Sequence, residues 1–322
     1  MPTTNQQTIK EGFKQMQAAV YESYGPPEVV HLCEVPIPVC KDDHVLVQIG
    51  ASSVNSADVR TRALDVAGPL KVILRLVMGW KRPKQPILGT VFSGKVIAVG
   101  SLATDFQVGD RLFGCIPGLG FGCHAEYVAV PIKAAMAKCP IHASDAESVS
   151  LVFGGTTALF FLNKASSKIG STLLVYGASG AVGCMAVQIA KRMGFRVTAC
   201  ASDMHREAVL SLGPDAFLSY TNKELADCST RFDVVFDAVG KMPAAERRRL
   251  LSDKGIFLTV GGSSVAKETR EQLEQLRQWF EEGTLKPIID STYRLQDITA
   301  AHARVDTKHK VGSVVVLMDD RS

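Results

Sequence analysis

The residues best suited to chemistry lie in the run Leu173-Leu174-Val175-Tyr176-Gly177-Ala178-Ser179-Gly180-Ala181-Val182-Gly183. An apolar strand enters a stretch of small residues, and a helical pattern follows. Small residues let a backbone approach a pyrophosphate, and a helix N-terminus adds N–H groups and the positive end of its dipole. Gly183 would let the helix pack closely on the strand. In the G-x-G-x-x-G frame Ala178 takes the first glycine position, with Gly177 added ahead of it. The strand–turn–helix context reads as a dinucleotide site made by Gly177, Ala178, Ser179, Gly180, Ala181, Val182 and Gly183. The alternative is a glycine turn kept for packing.

The next strand selects the nucleotide. It ends at Cys200-Ala201-Ser202, with no acid at its last positions to bind ribose hydroxyls. Ser202 and Arg206 could hold a 2′-phosphate, with Tyr220 against it, which favours NADP(H). Asp203 is the rival, since it could bind ribose and select NAD. Arg206 could also sit on a solvated helix face.

These residues need elements to position them, and the 322-residue chain changes texture along its length. Residues 1–16 are polar and read as a loose extension. Residues 17–140 carry short β-branched runs (18–21, 44–49, 93–99, 127–131) between Gly and Pro, the pattern of a barrel-like β domain. Residues 141–287 alternate strands and helices. Strands are expected at 171–176, 195–200, 216–220, 233–237 and 256–260, and helices at 181–193, 203–212 and 267–282. Repeated βα units imply a doubly wound parallel sheet. Residues 288–322, with β-like runs at 286–290 and 312–317 at their start and end, would return to the first domain.

Composition excludes other classes. Hydrophobic residues are 46% and charged residues 21%, an ordinary globular balance. The net charge of +4 does not mark a nucleic-acid binder. No apolar run reaches the roughly 18 residues of a membrane span, and the polar N-terminus suggests no secretory leader. The eight cysteines form no C-x-x-C pair. They read as free thiols in a reducing compartment, here the cytoplasm.

The chain resembles the zinc-independent quinone oxidoreductase (zeta-crystallin-like) group of the medium-chain dehydrogenase/reductase superfamily. The resemblance rests on Tyr24-Gly25-Pro26-Pro27-Glu28-Val29, Val54-Asn55-Ser56-Ala57-Asp58, Pro86-Ile87-Leu88-Gly89, Val108-Gly109-Asp110-Arg111-Leu112-Phe113-Gly114 and Ala125-Glu126-Tyr127. Gly154-Gly155-Thr156-Thr157-Ala158, the turn 177–183 and Phe236-Asp237-Ala238-Val239-Gly240 continue it in family order. It implies a GroES-like catalytic domain and a Rossmann domain. It also implies hydride transfer from NADPH to quinones or α,β-unsaturated carbonyls, with Thr156, Val260 and Gly261 near the nicotinamide.

Against zinc relatives, Asn55 stands where a cysteine ligand would be, and Gly89-Thr90-Val91 replaces Gly-His-Glu. A catalytic zinc needs three protein ligands, so no metal site is expected. Cys115, Cys123 and His124 match neither zinc lobe in spacing and read as structural. Without a Lewis acid, the developing oxyanion needs hydrogen-bond donors. Asn55 could donate through its amide, and Asp58 would orient the loop, with nothing in the sequence pointing to a raised pKa. Both residues could instead merely cap a turn. Val91 and Arg60 depart from residues common among relatives, an acid and a tyrosine.

The stretch Leu64–Pro86 is both apolar and basic. It reads as a cover over the cleft or as a peripheral membrane contact, without insertion in either case. Only Gly261 to Ala266 separate the fifth strand from the helix at 267, so the sixth Rossmann strand is expected to be missing. A monomer or a non-standard dimer follows. Two other functions stay open: an enoyl-thioester or alcohol-type reductase, and a nucleotide-binding sensor or interaction protein without turnover.

Overall fold

The computed structural model describes residues 15–65, 75–118, 120–165, 169–262 and 264–318. Most of the expected N-terminal extension lies outside them. Its last two residues do not belong to an extension: Gln15 and Met16 pair with Pro36 and Val35. The chain forms two compact units, Met1–Val149 with Ser291–His309 and Val314–Ser322, and Ser150–Asp290 with Lys310–Ser313.

In the first unit, β1 (Gln15–Tyr21) and β2 (Val30–Pro36) form an antiparallel ribbon. β3 (His44–Val54) leads into helix α1 (Ser56–Ala63), followed by β4 (Val91–Val99), β5 (Arg111–Cys115), β6 (Tyr127–Pro131) and β7 (Ala135–Lys138). Helix α2 (Asp145–Leu162) carries the chain into the second unit.

There β8 (Thr172–Tyr176), α3 (Ala181–Arg192) and β9 (Arg196–Ala201) form the first βαβ segment. Then come α4 (Arg206–Leu210), β10 (Ala216–Ser219), α5 (Glu224–Asp227), β11 (Phe232–Asp237), α6 (Ala244–Leu250), β12 (Leu251–Thr259) and α7 (Arg270–Glu281). β13 (Ile289–Arg294), α8 (Ile298–Asp306) and β14 (Ser313–Leu317) complete the chain.

The large sheet of the first unit runs β13-β14-β3-β4-β5-β7, with β6 also paired to β3. β14 pairs Val314 with Val54, so the last strand returns to the first unit as its sequence suggests. The curled sheet closes over a core that includes Val45, Val47, Phe92, Val96, Leu112 and Val130. The β-branched and aromatic side chains among them suit a pleated, buried surface.

The sheet of the second unit runs β10-β9-β8-β11-β12, all parallel. This is the order 3-2-1-4-5 of a doubly wound fold, whose ligand crevice opens where the order reverses, between the C-terminal ends of β8 and β11. Among the described residues it has five strands, and β12 forms one rim.

Several boundaries differ from the sequence pattern for local reasons. The strand expected at 286–290 begins at Ile289. Gln188 takes the backbone of Lys286 instead, accepting from its N–H at 2.8 Å and donating to its carbonyl at 2.9 Å. The helix expected from 267 starts at Arg270, because Thr269 and Gln272 form a reciprocal capping box. The helix expected over 203–212 is a 3₁₀ turn at Asp203–His205 followed by the short α4. No helix among the described residues is long and apolar enough to cross a membrane.

Candidate functional site

The turn after β8 has glycine at three positions. Gly177 has φ +82°, a region that suits glycine. The N–H groups of Gly177 and Ala178 both donate to the Cys200 carbonyl at 2.9 Å, tying the turn to β9. A Cβ on Gly183 would overlap the Gly177 carbonyl, so α3 and the turn touch backbone to backbone. A Cβ on Gly180 would meet only Gly177 O at 3.7 Å and otherwise open space. Gly180 also caps α3, whose first-turn N–H groups have no partner within the helix itself. A cradle with room above Gly180 and a helix N-terminus behind it fits a pyrophosphate.

The opposite wall of that crevice is organised by Asp237, which was not singled out from the sequence as a site residue. Its carboxylate accepts from the N–H groups of Val239, Gly240 and Met242 at 3.2, 2.8 and 2.9 Å. Thr259 donates to it at 3.3 Å and accepts from Gly261 N–H at 3.0 Å. Val260 N–H donates to the Asp237 carbonyl at 3.1 Å. Gly240 and Gly261 then meet so closely that a Cβ on Gly240 would lie 2.6 Å from Gly261 Cα. Val239 faces Gly177, where an added Cβ would approach it to 2.6 Å. The structure therefore brings Gly177–Gly183, Val260 and Gly261 to the same end of one sheet. The sequence signal for Asp237 was its place in Phe236–Gly240.

Thr156 is fully buried in α2, and its hydroxyl donates to the Val152 carbonyl at 2.8 Å.

At the end of β9, Tyr220 meets the Ser202 backbone, and Arg206 is held by other partners. Its Nε donates to Asp203 at 2.9 Å, and its Nη2 lies 2.7 Å from Asp203 and 2.6 Å from Glu224. Its guanidinium stacks over Phe217 at 4.4 Å. Glu224 also accepts from Ser219 N–H at 2.8 Å, which leads the causes holding its carboxyl below the usual range. The Tyr220 ring lies 5.9 Å from the Tyr176 ring. Burial raises the Tyr220 phenol, and a Ser202 backbone hydrogen bond counters part of that rise.

In the first unit, Asn55 caps α1. Its Oδ1 accepts from Ala57 N–H at 2.9 Å and from Asp58 N–H at 3.4 Å, while Asp58 accepts from Asn55 N–H at 2.9 Å. Asn55 and Asp58 therefore form a reciprocal capping box. The Asn55 amide also donates to Thr90 Oγ1 at 3.2 Å. A primary amide has two N–H donors, so the cap does not exhaust its capacity to donate.

Asp58 is completely buried and also accepts from Gly89 N–H at 3.0 Å. Burial pushes its carboxyl above the ordinary range, against the counter-pull of His124 and of these N–H groups. This corrects the expectation drawn from sequence, which has no signal for burial of an acid. Gly89 has φ +89°, and a Cβ there would lie 2.6 Å from His124 Cδ2. His124 contacts the Ser53 carbonyl through Nε2 at 3.2 Å, and burial holds its pKa down. Cys123 is buried with its thiol pushed up. Among the described residues no group of three or more His, Cys, Asp or Glu side chains could hold a metal ion.

The chain is 31% identical to the chloroplast envelope quinone oxidoreductase homolog of Arabidopsis thaliana, over 94% of this chain and 98% of that one. The chain belongs to the quinone oxidoreductase group of the medium-chain dehydrogenase/reductase superfamily. It is 29% identical to the NADPH-dependent alkenal/one oxidoreductase of the same plant, covering 94% of this chain and 80% of that one. Residues 41–141 match the alcohol dehydrogenase GroES-like domain, and residues 263–316 match the zinc-binding dehydrogenase family. Among solved structures, the quinone oxidoreductase from Coxiella burnetii superposes with a TM-score of 0.84 at 26% identity, over 95% of this chain and all of that one. Membership in this group gives the two units their architecture: a GroES-like fold in the first and a Rossmann sheet in the second.

Proposed function

We propose that this protein uses NADPH to reduce quinones or α,β-unsaturated carbonyls, without zinc. The observation that carries the reading is the close-packed glycine turn at Gly177–Gly183, facing the Asp237-ordered wall at Val260–Gly261, in a member of the quinone oxidoreductase group. The names of its relatives point to the same acceptors and cofactor.

Bound NADPH supplies the hydride. The first-turn N–H groups of α3 would hold its pyrophosphate, and the turn 177–180, tied to Cys200, would give it room to approach. Ser202, Arg206 and Tyr220 receive the 2′-phosphate end. Val260 and Gly261, fixed by Asp237 and Thr259, present backbone to the nicotinamide end, with Thr156 on the α2 side.

In the first unit, Asn55 donates its remaining amide N–H to the acceptor oxygen as negative charge develops there. Asp58 is a positioning residue: it fixes the backbone of Asn55 and of Gly89, on either side of Thr90. A conjugated acceptor spreads the charge it receives, so it needs less oxyanion stabilisation than an isolated ketone. Thr90, which accepts from the Asn55 amide, and Val91 next to it in sequence offer no imidazole, thiol or carboxylate.

The first unit serves as the catalytic domain and the second as the NADP-binding domain. The open rim at β12 supports a monomer or a dimer that does not use a sixth strand. All eight cysteines are thiols, which supports a reducing compartment such as the cytoplasm.

The test is steady NADPH consumption by the purified chain across a panel of quinones, enones, enoyl thioesters and simple ketones, with and without a zinc chelator. Turnover of quinones or enones that survives the chelator is expected. Tight NADPH binding with no acceptor reduced would replace this reading with a sensor lacking turnover.

A further inference from the structure

We propose that residues 75–84 form a docking surface for anionic lipid bilayers. The segment holds a helical turn at 75–78 and presents Leu76, Val77 and Trp80 at 64%, 49% and 53% exposure. Lys81, Arg82 and Lys84 are exposed beside them. Between Arg75 and Pro86 the sequence contains no acid.

The loop is held in shape from beneath. Met78 packs against the core of the first unit. Tyr24 Oη donates to the Gly79 carbonyl at 2.9 Å, and Lys84 N–H donates to the Met78 carbonyl at 2.7 Å. Gly79 has φ +121°, and a Cβ there would overlap the Arg82 carbonyl, so only glycine fits this fold of the loop. The exposed apolar side chains are therefore displayed on a defined support.

The chemistry of the display selects its partner. Tryptophan and long basic side chains both suit a membrane–water interface, with the ring at headgroup depth and the cations reaching phosphates. A small apolar area alone binds a bilayer weakly, and basic residues near an anionic surface supply the rest. A second copy of this chain docked on the same patch would set cations against cations. An anionic leaflet complements them, and it is where lipophilic acceptors reside.

The full-length chain is mixed with vesicles of phosphatidylcholine alone or with added phosphatidylglycerol, and sedimentation is measured. Cosedimentation with the anionic vesicles only, lost at high salt, is expected. Trp80 fluorescence should shift to the blue on binding; the other tryptophan, Trp279, is buried at 8% exposure and contributes a constant background.

The paired variants Leu76→Ser/Trp80→Ser and Lys81→Glu/Arg82→Glu should each weaken binding by about tenfold or more. Their melting and NADPH binding should match the parent, which shows that they fold. The proposal is overturned if the parent stays in the supernatant, or if both paired variants bind like the parent. It is also overturned if the variants dissociate a dimer instead of releasing vesicles. Vesicle binding is read without turnover, so its failure and a failure of the reductase reading are separate results.

Discussion

The rings of His124 and His302 meet edge to face in the interior of the first unit, with centroids 5.5 Å apart. Both rings are fully buried. Neither ring nitrogen of His302 has a hydrogen-bond partner among the described residues. Burial first, then the neighbouring His124 and Arg62, pushes the His302 pKa down to about 2. Arg62 is itself paired with Asp306 at 2.6 Å, and Asp58 lies on the His124 side.

This pair sets a direction for pH dependence. In the unfolded chain His302 takes up a proton near 6.5, whereas in the folded chain it stays neutral down to about 2. Between those values the unfolded state binds the additional proton, so stability falls as pH drops below 6.5. Asp58 acts in the opposite sense, because its raised carboxyl gains a proton in the folded state first. A loss approaching about 1.4 kcal/mol per pH unit is expected below pH 6 for one such histidine. Denaturant midpoints between pH 7 and pH 5 measure it. His302→Leu should flatten the profile, and an unchanged profile would remove His302 from the account.

Asn55 is both a cap and the proposed donor, and two substitutions separate these roles. Asn55→Ala should cost about 1 kcal/mol through loss of the cap. Asn55→Ser keeps a capping oxygen but lacks the reach of the amide. It should melt near the parent and bind NADPH equally, while kcat falls by about tenfold or more. A parental kcat in Asn55→Ser would leave Asn55 as a cap only.

Arg206 and Glu224 give a cofactor-selectivity prediction. Arg206→Ala should weaken NADPH by about tenfold or more, as loss of a charged hydrogen bond does, and NADH far less. Glu224→Gln keeps an acceptor for Ser219 but frees the guanidinium from one competing carboxylate. It should tighten NADPH and leave NADH unchanged. Titration of both nucleotides checks this, and equal effects on the two would move the 2′-phosphate elsewhere.

At Gly183 a single methyl group is enough. Gly183→Ala forces α3 away from the Gly177 carbonyl, at a cost of about 1–3 kcal/mol for overpacking. NADPH affinity should fall together with the melting temperature. Retained affinity would show that the turn does not carry the cofactor.

Much of this was legible in the sequence wherever a local pattern decides the outcome. The strand at Tyr127–Pro131 lies at the residues its β-branched run suggests. The turn at 177–183 is a contiguous motif whose neighbours follow from the strand order. The misses come from contacts between distant positions. Gln188 captures the backbone of Lys286 across 98 residues, and no periodicity in 286–290 reports that. Glu224 reaches Arg206 from 18 residues away, so the sequence shows a cation but not its neutralising partners. The burial of Asp58 depends on Gly89 and His124 closing over it, which only the folded unit displays.

The rim at β12 carries one last consequence. The register of β8, β9, β10 and β11 is set among themselves, and within the sheet β12 pairs only with β11. Val260 and Gly261 are locked to the Asp237 wall, so a change of length before α7 spares the cradle only where it falls beyond Gly261. Among the described residues β12 has no strand on its outer side, so it is the border at which one further strand would widen the sheet.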